Sequence, residues 1–415
     1  MKYTVLAAAV AAMSMMVAPV AMAEVKVSTK GGFQIKDDDF EAKIGGRFHW
    51  DSNYFIEEDD LKTGKSNSTT FFRRARITLE GRAYDWTYKF ENDFAGQDGT
   101  TGSGFREAWI GTKALGHNIR LGQAKPYRGM EELTSSNEMT FMERPFATGS
   151  GIYNQFQQGV FVDKAGDLGA DGLMAYGYGA SVYNTRDASQ KPTQGMGYNL
   201  RGYLVPLRMD NQLIHIGVSG SSDNDPVNDA GALTNSGVLG SRPRLVGRDG
   251  GLRPTVVAPS EQRDTYAIEL AYQMGAFQAQ AEYATSDFDV YSPAVAANGT
   301  NPATPAKVSG QQVDTAHIQA SYFLTGHMRP YDFKKGVFKS PKVESGAGAI
   351  ELKARYDMIE NKDANVEGEQ YTLGLNYYAN SNVRLMFEYV DGAATDNKGV
   401  ETEASLIQTR VQFAF

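Results

Sequence analysis

The 415-residue chain has no cysteine, so it can carry neither a disulfide framework nor a thiolate metal site. Its five histidines, His49, His117, His215, His317 and His327, show no metal-ligand spacing. Prolines are scarce inside the patterned runs. Beyond residue 23 no stretch approaches the roughly eighteen apolar residues that a membrane helix needs, which excludes a helical membrane protein. Net positive charge is also missing. The formal charge is −8, or −9 once residues 1–23, with one lysine and no acid, are set aside, and this argues against nucleic acid as a partner. Nothing in the composition marks a boundary between domains.

What is present begins with a leader pattern. Lys2 supplies a positive start, Val5 to Val20 is almost continuously apolar, and Ala21-Met22-Ala23 ends in a small-x-small sequence. Residues 1–23 are therefore expected to be a secretory signal peptide, with the mature chain starting at Glu24.

From there, period-two alternation recurs to the end of the chain. Phe40, Ala42, Ile44, Gly46, Phe48 and Trp50 share one face; Glu41, Lys43, Arg47, His49 and Asp51 share the other. Ala75, Ile77 and Leu79 oppose Arg74, Arg76, Thr78, Glu80 and Arg82, and after a turn at Tyr84-Asp85, Trp86, Tyr88 and Phe90 oppose Thr87, Lys89 and Glu91. Later runs, such as Ile350 to Asp357 and Val383 to Tyr389, repeat the scheme. Two chemically different solvents are implied, and the inward face reads as polar throughout. Mean hydropathy is −0.42, as in a soluble protein, but a membrane barrel gives the same average because only alternate residues meet lipid.

Connections alternate in length. Tight ones fall near Tyr84-Asp85, 114–118, 209–211, Met274-Gly275 and 379–382; long ones span 52–70, 126–156, 222–262 and 288–312. The pattern predicts an all-β fold: a single transmembrane antiparallel barrel of about 16 strands, with periplasmic turns on one rim and long extracellular loops on the other. Residues 24–39 are expected to be an N-terminal periplasmic segment and 40–415 the barrel. The count leaves 325–346 on the periplasmic side, long for a turn. The last strand places Ile407, Val411, Phe413 and Phe415 on one face, an amphipathic ending that resembles the assembly signal of outer-membrane barrels.

Three blocks carry a family resemblance. They are Phe72-Arg73-Arg74-Ala75-Arg76-Ile77 with Glu80-Gly81; Leu121-Gly122-Gln123-Ala124-Lys125-Pro126 continuing through Glu132-Leu133-Thr134-Ser135-Ser136 to Thr140-Phe141-Met142-Glu143-Arg144; and Leu324-Thr325-Gly326 through Arg329-Pro330-Tyr331 to Gly336-Val337-Phe338. Together they resemble the phosphate-selective porin O and P family. The resemblance implies a homotrimer of barrels in outer-membrane lipid and lipopolysaccharide, passing small anionic solutes without a cofactor. It also implies a third extracellular loop, 126–156, folded inward as a constriction. By position, Arg74 and Arg76 match the family's arginine ladder, and Lys125 and Arg128 stand at the entry to the constriction loop.

Arg73, Arg74, Arg76 and Arg82 are the leading candidates for an anion site, since guanidinium groups in a narrow passage attract and orient phosphate or carboxylate. The structural alternative is a wall in which they pair with Glu80, Glu91 or Asp93 across the strands. Lys43, Arg47, Lys89, Arg201, Lys353, Arg355, Arg384 and Arg410 also point inward by parity. Between Pro126 and Glu143 the loop has one basic residue, Arg128, against Glu131, Glu132, Glu138 and Glu143. This predicts a moderate anion preference rather than strict phosphate specificity.

Arg242, Arg244, Arg248, Arg253 and Arg263 read as an electrostatic funnel or as a surface loop, and Arg329, Lys334, Lys335, Lys339 and Lys342 as a solvated or headgroup-facing rim. No enzyme motif stands up. Thr63-Gly64-Lys65-Ser66 has Asp59 where a phosphate-binding loop needs its first glycine, and no metal site is expected, although Glu57 to Asp60 and Asp223-Asn224-Asp225 have the composition of calcium loops as well as of solvated ones. A weakly selective general porin and a surface adhesin or structural barrel remain the competing functions.

Overall fold

A computed structural model describes residues 26–28, 32–57, 68–95, 104–149, 152–169, 172–186, 192–225, 241, 245–246, 254–292, 294, 307–344 and 346–415. A short hairpin, β1 (Lys26–Ser28) and β2 (Phe33–Lys36), comes first. It is followed by β3 (Phe40–Glu57), β4 (Ser68–Ala83), β5 (Trp86–Asp93), β6 (Gly104–Ala114), β7 (His117–Ala124), β8 (Gln157–Leu168), β9 (Met174–Arg186) and β10 (Pro192–Arg208). Then come β11 (Gln212–Asn224), β12 (Ser260–Met274), β13 (Phe277–Ser292) and β14 (Lys307–Phe323). The two-residue strands β15 (Tyr331–Asp332) and β16 (Val337–Phe338) form a separate hairpin. The chain ends with β17 (Ala349–Asn361), β18 (Val366–Tyr378), β19 (Val383–Thr395) and β20 (Glu401–Ala414). Helix is confined to single turns, α1 (Met130–Leu133) and α2 (Phe146–Gly149).

Sixteen of these strands, β3 to β14 and β17 to β20, close into one antiparallel barrel. Closure falls between β20 and β3, with Phe413 opposite Phe48 and Arg410 opposite Asp51. A closed ring leaves no strand edge in the bilayer, where an unpaired backbone group costs several kcal/mol, roughly. Alternation sorts the side chains as expected: Ile77 and Leu79 are exposed on the outside while Arg76 and Thr78 are buried inside. The tight turns all lie on one rim; at the first of them Tyr84 takes φ 53.

Within 24–39, β2 adds to the sheet by pairing with β3, Phe33 opposite Ile44, along the edge that β20 leaves open. The leader, Thr63 to Ser66, Asp59 and Arg242, Arg244, Arg248 and Arg253 lie outside the described residues.

The interior departs from the uniformly polar face expected. Near the loop rim, inward-facing Phe55, Val313, Ile359, Val366, Val390 and Leu406 pack with Phe146, Ile152 and Tyr153, and with Leu245, Val246, Val256 and Val257 from the β11–β12 loop. These wall positions are apolar because loops, not water, cover them.

A second departure concerns 325–346, expected on the periplasmic side with its basic run as a solvated or headgroup-facing rim. The segment turns into the lumen. Arg329 is buried and donates to Glu351 (2.9 Å) and to the Glu138 carbonyl (2.8 Å). Arg201 donates to the Lys335 and Gly336 carbonyls (2.8 and 3.0 Å), and the Tyr203 hydroxyl to that of Phe333 (2.6 Å).

Loop 125–156 enters from the opposite rim and meets this segment, the Ser340 hydroxyl donating to the Asn137 carbonyl (3.0 Å). Its entry is fixed by Tyr127, whose ring lies where a Cβ on Gly179 would sit, 2.6 Å from the nearest ring carbon. It is also fixed by Arg128, which is buried and donates to Asp223 (2.9 Å). Asp223 in turn accepts from Arg263 (2.7 Å) and from the Tyr183 hydroxyl (2.8 Å). Asp223, read from sequence as part of a solvated or calcium-binding stretch, and Arg263, read as a funnel or surface-loop residue, are instead both buried in this cluster.

Asp223→Asn removes the carboxylate charge that the buried Arg128 and Arg263 guanidiniums share, a change that costs about 3–5 kcal/mol when a buried pair is broken. The temperature at which the folded barrel converts to the unfolded band on an unheated gel is expected to fall clearly below that of the parent. An unchanged transition would show that the cluster does not hold the loop.

Candidate functional site: a cation-lined constriction

The inward loop and the β15–β16 segment leave a lumenal cavity of about 550 Å³ walled by β3 to β6 and by inward residues of β17 to β20. Eleven basic side chains line it: Lys43, Arg47, Arg73, Arg74, Arg76, Lys89, Lys125, Arg144, Lys335, Lys339 and Arg355. The acids are seven: Glu80, Glu91, Glu107, Glu138, Glu143, Asp332 and Glu388. Ser135, Ser136 and Asn137 add neutral hydrogen-bonding groups.

A bulge shapes the arginine cluster. In the β3–β4 ladder His49 pairs with Arg74 and Trp50 with Phe72, so Arg73 has no partner of its own. Strict alternation would send Arg73 to lipid; the extra residue turns it inward beside Arg74. There it donates through Nε (2.5 Å) and Nη2 (2.7 Å) to the two oxygens of Glu143.

Much of the wall charge is matched. Arg76 donates to Glu91 (2.9 Å) and Asp93 (2.8 Å), and Arg47 to Glu91 (2.6 Å) and Ser136 (2.9 Å). Lys89 is 3.2 Å from Glu107, which also accepts from the Trp109 indole (2.9 Å). Arg74 differs. It is buried, its Nη1 lies 3.3 Å from His49 Nδ1, its Nε finds no partner, and no described carboxylate pairs with it. Lys43 and Lys335 are likewise not ion-paired among the described residues.

On the far wall, cations hold the loop backbone. Arg384 donates to the Met139 carbonyl (2.7 Å), Lys353 to that of Thr140 (3.1 Å), Arg410 to that of Met142 (2.6 Å) and Arg355 to that of Glu143 (2.8 Å).

The structure thus brings Lys43, Arg47, Arg73, Arg74, Arg76, Lys89, Lys125, Arg355, Glu138 and Glu143 to one cavity. Arg82 is left at the tight-turn rim, donating to the Asp38 and Tyr84 carbonyls (2.7 and 3.0 Å). Arg128 is absorbed by Asp223, Glu131 is buried beside Gln280, and Glu132 is buried 3.3 Å from Lys125. Sequence reasoning missed Arg144 and Glu107 and misplaced Lys335 and Lys339. Only the unusual length of 325–346 pointed to an inward course for the last two.

Comparison with known proteins agrees with this architecture. The family model for phosphate-selective porin O and P matches residues 42–415. The chain belongs to that family. Porin O of Pseudomonas aeruginosa is 27% identical, over 95% of this chain and 93% of its own length. Among solved structures, the anion-selective porin from Comamonas acidovorans superposes with a TM-score of 0.56 at 11% identity, covering 91% of this chain and all of its own. DcaP, an outer membrane channel of Acinetobacter baumannii, gives 0.54 at 13% identity, covering 93% of this chain and all of its own. The trimer form of Vibrio cholerae OmpT gives 0.52 at 12% identity, covering 91% of this chain and all of its own. The porin is thus an outer-membrane channel.

Lys125 is the titratable member of the loop. Burial pushes its ammonium down to about 7, with Arg144 acting in the same direction and Glu132 opposing. The charged form therefore prevails below about pH 7 and the neutral amine above it. Anion preference, read as reversal potential in a planar bilayer, is expected to decline as pH rises through that value, and Lys125→Gln to remove the inflection. A parent profile that stays flat through neutrality would refute this titration.

Proposed function

We propose that this porin is a passive diffusion channel with moderate preference for small anions of the phosphate type, assembled as a homotrimer. The observation that carries the selectivity is the lining of the constriction, eleven cationic side chains against seven acidic ones. Fixed charge in a narrow passage walled by low-dielectric protein acts on a permeating ion with little screening, whereas charge in distant loops is screened within about 8–10 Å. Local charge therefore dominates over the acidic total.

Arg74, Lys43 and Lys335 supply the unmatched field, and Arg76 and Arg47 belong to ion pairs that hold the wall. The family's description, Porin O and the anion-selective Comamonas porin support the sign of this preference. The OmpT trimer supports the assembly, which light scattering of the detergent-extracted protein tests directly. A weakly selective pore is the second reading. It is favoured by the ion pairing of Arg76, Arg47 and Lys89, which cancels part of the cationic lining.

Reversal potential across a potassium chloride gradient separates the two. The parent is expected to favour chloride, and Arg74→Gln to shift the potential toward potassium. Arg76→Gln, by contrast, is expected to lower heat stability and move selectivity less. A parent potential at zero supports the weakly selective pore, and a cation-selective parent defeats the proposal.

A further inference from the structure

Glu143 occupies an unusual position in the lumen. Its carboxylate receives both oxygens' worth of donation from Arg73, at 2.5 and 2.7 Å, and a further contact from Arg410 Nη2 at 3.1 Å. Its side chain is 28% exposed, whereas those of Arg73 and Arg410 are 11% and 1% exposed. Glu143 is the most exposed member of the group; it lines the cavity together with Arg73 and Arg74, whereas Arg410 does not. Side-on pairing to two guanidinium N–H groups is the geometry by which arginine recognises carboxylate or phosphate.

We propose that Glu143 is a tethered occupant of an oxyanion seat built by Arg73, Arg74 and Arg410, and that a permeating oxyanion binds there by displacing it. This rests on the anion-channel reading and adds the residue that sets how tightly the constriction holds its solute. The ligand chemistry is a small oxyanion with two oxygens on one face, a phosphate or a carboxylate.

Three observations support displacement over a fixed structural pair. First, Arg410 is positioned without Glu143, because Asp51 accepts from its Nε and Nη2 at 2.7 Å each. Second, the loop is held through its backbone at this point, since Arg355 donates to the Glu143 carbonyl (2.8 Å) and Arg410 to that of Met142 (2.6 Å). The side chain can leave while the loop stays. Third, Arg74 is buried next to Arg73 with no described carboxylate partner, so its charge is not matched even with Glu143 in place. Burial pushes the Glu143 carboxyl up, but the Arg73 guanidinium, followed by Arg74 and Arg410, outweighs it and holds the group well below the usual carboxylate range. Protonation therefore does not vacate the seat near neutral pH; competition by another anion does.

The test is block of chloride current through the reconstituted full-length porin by added phosphate in one arm and by acetate or succinate in the other. In Glu143→Gln the tethered charge is gone, and the half-blocking concentration is expected to fall about tenfold, the scale of one charge-assisted hydrogen-bonding contact. The arm in which it falls identifies the preferred oxyanion. Glu143→Asp keeps the charge but shortens the reach, so it should give a smaller decrease. It also serves as the readable variant should the glutamine form fail to fold, which the unheated gel reports. If the parent prefers anions and both folded variants block like the parent in both arms, the seat is refuted while the channel reading stands. A parent without anion preference refutes the channel reading instead.

Discussion

A backbone that crosses the inside of a barrel must have its carbonyl and N–H groups satisfied by something other than a ladder, and this requirement organises the constriction. Up to Met139 the loop meets part of this need itself, the Ser135 carbonyl accepting from the Glu138 and Met139 N–H groups and Arg144 donating to the Glu131 and Thr134 carbonyls. From Met139 on, the wall supplies partners. Arg384, Lys353, Arg410 and Arg355 donate to successive loop carbonyls from Met139 to Glu143, and Glu388 accepts from the Met142 N–H at 2.8 Å. An unmet buried carbonyl costs about 1–3 kcal/mol, so this set of bonds is what makes an inward course affordable. The same rule governs the opposite rim, where Arg201 and Arg329 meet carbonyls of the segment before β17.

One consequence is a division of labour among cations that look alike. An inward arginine on β17, β19 or β20 is engaged by loop backbone and by neighbouring acids such as Asp357 and Asp51. On β3 and β4 the wall faces the cavity: Arg47 and Arg76 pair with acids of β5, Arg73 meets Glu143 of the loop, and Arg74 has no described carboxylate partner. In the proposed reading the selective field arises from this part of the wall. The bulge at Arg73 contributes by placing two adjacent arginines on one side of a strand, which regular alternation forbids.

The barrel was legible in the sequence because one physical signal, period-two alternation between lipid and interior, repeats in every strand and is hard to mimic. Strand directions and the site wall followed from it: Lys43, Arg47, Arg74, Arg76 and Lys89 face inward as parity requires. Contacts made by loops were not legible, since they follow no period. Arg128 read as a pore cation because its partner, Asp223, lies on a strand far along the chain. Lys335 and Lys339 read as rim residues because nothing local distinguishes an exposed turn from one drawn inward by Arg201 and Tyr203. The apolar patch behind Phe55 and Leu406 was invisible for the same reason, as inward valines and leucines make sense only once a loop covers them.

The acidic sum of the chain and a cationic constriction are compatible because they act over different distances. Charges on solvated loops lose most of their influence within a Debye length, while those lining a cavity bounded by protein keep it. The surplus at the constriction is small, four charges by simple count of its lining, and Glu143 sets part of it from within. A lumen with many unmatched arginines would hold its solute too firmly to conduct, since conduction requires sites weak enough to leave as well as favourable enough to enter. A carboxylate carried by the loop moderates that field at the point where Arg73, Arg74 and Arg410 converge. The loop thus narrows the passage and tempers its charge with the same short stretch of chain.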